Sequence, residues 1–127
     1  MTRYLISFDD GRMTFSEEQL PDVAKAAHEV VQAAQDAGVW VFGGGLESQR
    51  ASVVATDGTV TDGPYPETKE VIGGFSVVDV TSREEALAWA AKIAVACRCA
   101  QEVRKLGPDP ELDALLRRAD TSRPPAS

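Results

Sequence analysis

Two segments of helical spacing separate short strand-like segments in this chain, and this order constrains the fold more than any other feature. The first segment opens with a capping box at residues 16–19, and its apolar stripe continues until Gly38. The second opens at Thr81 or Ser82, and apolar residues recur at helical spacing as far as Cys97. Each pattern predicts a helix that buries one face.

The segments around the two helices have the composition of strands. They are residues 4–8, 39–42, 51–55, 59–61, 75–80 and 101–106, and Asp57-Gly58 between the third and the fourth is a strong hairpin signal. The order predicts an α+β, ferredoxin-like βαββ(β)βαβ sandwich, in which both helices cover one face of an antiparallel sheet. Because the other face also carries apolar residues, we expect it to meet a second copy in a homodimer.

The length of 127 residues fits one domain. Residues 107–109, Gly-Pro-Asp, mark a boundary after the last strand-like segment. We therefore place the α+β domain at residues 1–106 and a C-terminal tail at residues 107–127. Within the tail, residues 111–118 can form a short helix, and residues 121–127 are rich in serine and proline.

The charge balance excludes some partners. A formal net charge of -7 disfavours nucleic acid and anionic membrane surfaces, both of which need a basic protein surface. No apolar run reaches the roughly 20 residues that span a bilayer, and the first residues lack the pattern of a secretory signal. We therefore expect a cytoplasmic protein with no nucleic-acid and no membrane partner.

Residues 62–74 carry the strongest functional signal. Asp62-Gly63-Pro64 predicts a turn, in which the Asp62 carboxylate can accept a backbone hydrogen bond as an Asx-turn. The turn does not account for Tyr65, Glu67 and Lys69, which follow on a segment stiffened by two prolines. Rigid loops with assorted polar groups often bind ligands, so we predict ligand contacts from these three side chains. Tyr65 as an interface aromatic and the charges as a solvated ion-pair patch are the alternatives.

Several of these segments together resemble the DGPF branch of the YCII-related proteins, which belong to the dimeric α/β-barrel superfamily. The resemblance covers about residues 3–106 and rests on TDGPYPETKE at residues 61–70, GGF at 73–75, EALAWA at 85–90 and EVR at 102–104. Tyr65 and Lys105 depart from the branch, which usually has phenylalanine and often has proline there. The family implies a dimeric α/β barrel with a cleft near the Asp-Gly-Pro loop, but no settled activity.

His28 is the only histidine, and two interpretations of it stand side by side. As a catalytic residue it would act as a general base oriented by Asp62, as a His and Asp pair does in some YCII-type relatives. As a boundary residue, one step off the apolar stripe, it would leave its ring half in solvent, and a lone histidine favours this second interpretation. Arg104 is predicted either to bind an anionic group of a ligand or to pair with Glu67 or Glu70.

Two other motifs carry no chemistry of their own. Gly43-Gly44-Gly45 has no Gly-Lys-Ser/Thr after it, so a flexible strand exit or a bulge beside the cleft is expected rather than a phosphate loop. Cys97 and Cys99 have one residue between them, which is not the spacing of redox or zinc motifs. We expect no metal and no cofactor.

Two functions fit these residues. The first is a small-molecule-binding protein with a cleft beside the Asp62-Gly63-Pro64-Tyr65 loop, acting either by binding alone or as an acid–base enzyme of lyase or dehydrochlorinase-like type. The second is a non-catalytic dimeric partner in stress or sigma-factor-linked regulation, since some relatives are encoded beside extracytoplasmic-function sigma factors. A buried, polar-lined pocket favours the first function, and a filled cleft with an exposed apolar patch favours the second.

Overall fold

The computed structural model describes residues 2–9, 15–46, 51–62 and 72–122. Their elements, in chain order, are β1 (Thr2–Asp9), a 3₁₀ turn (Glu17–Gln19), α1 (Leu20–Asp36), β2 (Trp40–Gly45), β3 (Ser52–Val54), β4 (Val60–Asp62), β5 (Ile72–Val80), α2 (Arg83–Cys97), β6 (Glu102–Lys105) and α3 (Pro110–Ser122). No helix in these ranges combines the length and the apolar character needed to cross a membrane.

Four strands form one antiparallel sheet in the order β2-β5-β1-β6. The register places Tyr4 opposite Val78 on one side and opposite Lys105 on the other. Strands β3 and β4 form a separate antiparallel hairpin, as Asp57-Gly58 predicts. This topology confirms the α+β, ferredoxin-like fold; the dimeric barrel stays a prediction.

The core lies between one face of the sheet and the two long helices. Side chains alternate between the faces of a strand, so every second residue of β1 and β5 points toward the helices. The buried residues that pack together there are Tyr4, Ile6, Ala34, Val39, Val78, Val80, Ala86, Trp89 and Ala90. Small alanines on both helices let them approach a sheet face that carries larger aliphatic side chains.

Local signals explain the ends of the helices. Gly38, with φ +75°, follows the last turn of α1 in the left-handed conformation that glycine adopts most readily. At the start of α2, Ser82 Oγ accepts from the Glu85 backbone N–H at 3.1 Å. The Glu85 carboxylate in turn accepts from the Thr81 backbone N–H at 3.0 Å, which completes a reciprocal cap.

Three boundaries differ from the sequence prediction. The structure extends β2 through residues 43–45, where a strand exit was expected, with a bulge between Trp40 and Phe42. It begins β5 at Ile72 rather than after the two glycines, because Gly74 pairs with Phe8 of β1 and Gly45 of β2, and Gly73 lies at an irregularity in the register with β1. It also extends α3 over Pro110–Ser122, farther than the short helix predicted for the tail.

The face of the sheet away from α1 and α2 is only partly covered. Leu5 lies opposite Val77, and both are half-buried, as is the nearby Phe75. At one end of this face, Arg3 forms ion pairs with Asp79 at 3.8 Å and with Asp113 of α3 at 3.5 Å. The second ion pair ties the C-terminal helix to β1.

Candidate functional site

A cavity of about 630 Å³ opens between α1, the β2 side of the sheet and the end of α2. Its walls are mostly apolar: Leu20, Val23, Ala24, Ala27, Val30 and Val31 come from α1, and Phe8 and Trp40 come from the strands. Phe42 and Phe75 border the cavity from the sheet, but the alternation of side chains directs their rings to the opposite face. Its polar lining consists of His28, Ser76, Cys97 and Gln101. The volume lies within the range of small-molecule sites, which are typically apolar with a few polar groups.

Two glycines make room for aromatic rings in this wall. A Cβ atom on Gly43 would lie 2.8 Å from the Trp40 ring and 2.6 Å from the Phe75 carbonyl oxygen. A Cβ atom on Gly74 would lie 2.8 Å from two ring atoms of Phe8. Each ring therefore covers a bare stretch of backbone in the sheet, which a side chain at either position would block.

The polar groups of the cavity differ in how they are held. His28 is exposed on α1. Burial raises the pKa of the Cys97 thiol, and the neighbouring Cys99 raises it further, so this sulfur stays protonated at neutral pH. Gln101 donates from its amide nitrogen to the Cys99 carbonyl oxygen at 3.3 Å, which leaves its amide oxygen available to accept from a bound molecule.

Of the three predicted site residues that the structure describes, which are His28, Asp62 and Arg104, only His28 lines this cavity. His28 lines it, whereas Asp62 ends β4 and accepts a hydrogen bond from Ser52 Oγ at 2.5 Å. Among the residues that the structure describes, no hydrogen bond or ion pair joins His28 to Asp62. Tyr65, Glu67 and Lys69 lie outside the described residues, so their roles stay predictions.

Arg104 lies at the other edge of the sheet. It belongs to β6, which is three strand spacings, or about 14 Å, from β2. Its guanidinium pairs with Glu102 at 2.8 Å, and its side chain is 58% exposed. The ion pair predicted with Glu67 or Glu70 falls outside the described residues, and Arg104 does not line the cavity that contains His28.

A second cavity, of about 530 Å³, is chemically different. It lies between the start of β1 and α3, and its charged lining consists of Arg3, Asp79, Lys105, Asp109 and Asp113. Nowhere in the described ranges do three or more histidine, cysteine or acidic side chains come together to hold a metal ion. The ion pairs of Arg3 account for this charged cluster as the attachment of α3.

Comparison with known proteins agrees with this architecture. The YCII-related domain matches the chain over residues 3–106, which contain every element described above except α3. The chain belongs to the YCII-related domain family. No curated protein matches it. The match confirms the family suggested by the sequence, but it does not assign an activity to this YCII-related domain.

Sequence reasoning missed most of the residues that build the cavity of this YCII-related domain. It placed Phe8 and Trp40 in strand-like segments, at residues 4–8 and 39–42, and gave neither a role in a cavity. A signal was present, because an aromatic residue lies close in sequence to each of the two glycine clusters, at residues 43–45 and 73–74. Only the register of β5 against β1 and β2 shows which glycine lies under which ring.

Proposed function

We propose that this YCII-related domain binds a small molecule in the cavity between α1 and the sheet, with His28 as the group that exchanges protons with it. The observation that carries the proposal is the cavity itself, which has the volume and the apolar wall of a ligand site and the only histidine of the chain on its lining. A packed core does not require a cavity of this size.

A single imidazole in such a cavity supports proton transfer. A ring nitrogen of His28 that carries no proton can take one from a carbon of the ligand, and the C–H electron pair then forms a double bond as a leaving group departs from the neighbouring carbon. This is the elimination that lyases and dehydrochlorinases perform. In the same proposal, Asp62 at the end of β4 and Tyr65, Glu67 and Lys69 after it bring polar contacts to the ligand, whereas Arg104, at the opposite edge of the sheet, does not reach this cavity in the same chain.

The test compares two substitutions on α1. A small-molecule screen by thermal shift should yield compounds that raise the melting temperature of the wild-type protein. His28→Ala should weaken their binding by about tenfold if they accept or donate a hydrogen bond at the imidazole, and Glu29→Ala, which changes an exposed residue outside the cavity, should not. A screen without hits, or equal affinities for the two variants, contradicts the proposal.

We also propose that the protein is a homodimer that buries the half-covered face of its sheet. Support comes from Leu5, Phe75 and Val77 on that face, which a monomer leaves partly in water. Light scattering should give twice the mass of one chain, and Val77→Asp should give the mass of one chain because the interface would then bury a charge. A wild-type mass of one chain at micromolar concentration rules the dimer out.

A non-catalytic role in stress or sigma-factor-linked regulation is the alternative. The observation that favours it is the exposure of Val53, Val54 and Val60 on the β3–β4 hairpin, where Val54 lies opposite Val60. Exposed apolar clusters are typical of protein interfaces. We place the protein in the cytoplasm for either role, because Cys97 and Cys99 form no disulfide. Co-purification of a partner that Val54→Lys abolishes and His28→Ala does not would support this alternative over ligand binding.

A further inference from the structure

The C-terminal helix α3 has an apolar stripe that the described part of its own chain leaves in water. Leu112, Leu115 and Leu116 are three and four residues apart, so they lie on one side of the helix. They are 52%, 57% and 39% exposed. Among the described elements, no helix or strand makes extensive contact with α3. Much of this apolar surface is therefore uncovered in the single chain.

A helix of this length needs a surface to pack against. Isolated helices shorter than about 12–15 residues are marginal in water, and in proteins most of their stability comes from packing of an apolar face. Helix α3 spans 13 residues. Its start is capped, because the Asp109 carboxylate accepts from the Leu112 backbone N–H at 3.0 Å. The cap does not cover the leucines, so their packing partner has to come from elsewhere.

The first turn of α3 lies beside the half-covered face of the sheet. Alternation along β1 directs Tyr4 into the core and Arg3 and Leu5 to that face. Arg3 pairs with Asp113 of α3 at 3.5 Å. Leu116 is three residues from Asp113 and therefore lies next to it on the helix surface. The ion pair thus holds the leucine stripe at the rim of the face that the proposed homodimer buries.

The sheet face alone is small for a stable dimer. Its four strands contain 8, 6, 9 and 4 residues, and about half of these, or roughly 13 side chains, point to this face. A standard interface takes roughly 20–30 residues from each partner. An apolar element at the rim, which α3 supplies, brings the contact surface closer to that size.

We infer that α3 packs its leucine stripe against the second copy of the chain, so that the two C-terminal helices extend the sheet-on-sheet contact of the homodimer. The inference rests on the dimer proposed above and adds an element to its interface. Symmetry makes each of these contacts occur twice. The 13 residues of α3 span about 20 Å, which exceeds the distance of about 14 Å between the outer strands of a four-stranded sheet.

The experiment compares the dimer dissociation constants of three full-length proteins by sedimentation velocity over a dilution series. Leu115→Gln changes the stripe, and Ala114→Gln places the same side chain on the side of α3 away from it. Glutamine is a good helix former, so both variants keep the helix. Leu115→Gln should weaken the dimer about tenfold or more, because a buried leucine is lost from both chains. Ala114→Gln should leave the constant nearly unchanged.

An isotope-filtered NOE experiment locates the contact. Dimers are assembled from one ¹³C-labelled and one unlabelled copy, so that the filtered spectrum contains only contacts between chains. The methyl groups of Leu112, Leu115 and Leu116 should give NOEs to protons of the unlabelled copy. Leucine NOEs that stay within one chain would show that α3 packs on its own domain, which contradicts the inference.

The outcomes separate this inference from the dimer beneath it. If the wild-type protein sediments as one chain at micromolar concentration, the homodimer itself is wrong, and the role of α3 is wrong with it. If the wild type is a dimer and Leu115→Gln dimerises as tightly, the dimer stands and only the role of α3 is wrong. Equal weakening by Leu115→Gln and Ala114→Gln also contradicts the inference, because a less stable helix then explains both.

Discussion

Gly43→Ala is expected to destabilise the protein, whereas Gly44→Ala, one residue along the same strand, is not. The added Cβ at residue 43 would lie 2.6 Å from the Phe75 carbonyl oxygen and 2.8 Å from both Ser76 Cα and the Trp40 ring. The first distance is about 0.8 Å short of the 3.4 Å at which ordinary contact begins. Two of these atoms belong to the backbone of β5 and cannot rotate away.

The magnitude follows from two opposing effects. Overpacking of a rigid site costs about 1–3 kcal/mol. Replacing glycine by alanine lowers the entropy of the unfolded chain and returns about 0.4–1 kcal/mol. The net effect at Gly43 is a loss of about 1–2 kcal/mol. A Cβ on Gly44 meets nothing within 4 Å, so only the favourable effect remains there.

Urea unfolding compares both variants with the wild type. All three proteins are measured at one fixed concentration, so that dimer formation contributes equally to each free energy of unfolding. We expect the two variants to differ by about 2 kcal/mol in the free energy of unfolding. Equal values for Gly43→Ala and Gly44→Ala would refute the argument that the Trp40 ring and β5 occupy the space over Gly43.

Three further predictions concern local contacts. Ser82→Ala should cost about 1 kcal/mol in urea unfolding, because the Glu85 N–H loses its acceptor, and no loss contradicts the cap. Cys97 should be alkylated more slowly at pH 8 in folded than in urea-unfolded protein, because burial raises its pKa, and equal rates would exclude that burial. Hydrogen bonds from Thr59 lower the pKa of Asp57, so this contact supports the hairpin above the unfolded pKa of the carboxyl and is lost as the pH falls through the folded pKa. Carboxyl NMR should therefore give a titration midpoint for Asp57 below the ordinary aspartate value. A midpoint at or above that value would contradict the hydrogen bonds from Thr59.

Most of the fold could be predicted from the sequence, because the signals that specify its helices and its hairpin are local. Caps, apolar stripes and a two-residue turn specify α1, α2 and the β3-β4 hairpin without knowledge of their partners. The glycine segment of β2 was mistaken for a strand exit because glycine has a low strand propensity. What keeps it in the sheet is pairing with β5, which lies about 30 residues away in the chain.

The candidate site was harder to predict from the sequence, because it also depends on contacts between residues that are far apart in the chain. His28 stood out as the only histidine, but its neighbours come from four elements that only the folded chain brings together. The pairing of His28 with Asp62 stays a prediction, and it was made without the hairpin register, which places Ser52 opposite Asp62 and supplies a hydrogen bond to its carboxylate. That contact could have been anticipated, since a tight turn at Asp57-Gly58 fixes the register.

The most direct test of the central claim is a map of amide chemical-shift changes as a compound from the thermal-shift screen is added to the isotope-labelled protein. We expect the largest changes along the cavity, at His28, Gly43, Ser76 and Gln101. The amide shifts of residues 109–113, beside the charged cavity, should stay unchanged. Changes centred on residues 109–113, or no changes at a millimolar concentration of the compound, would contradict a ligand site between α1 and the sheet.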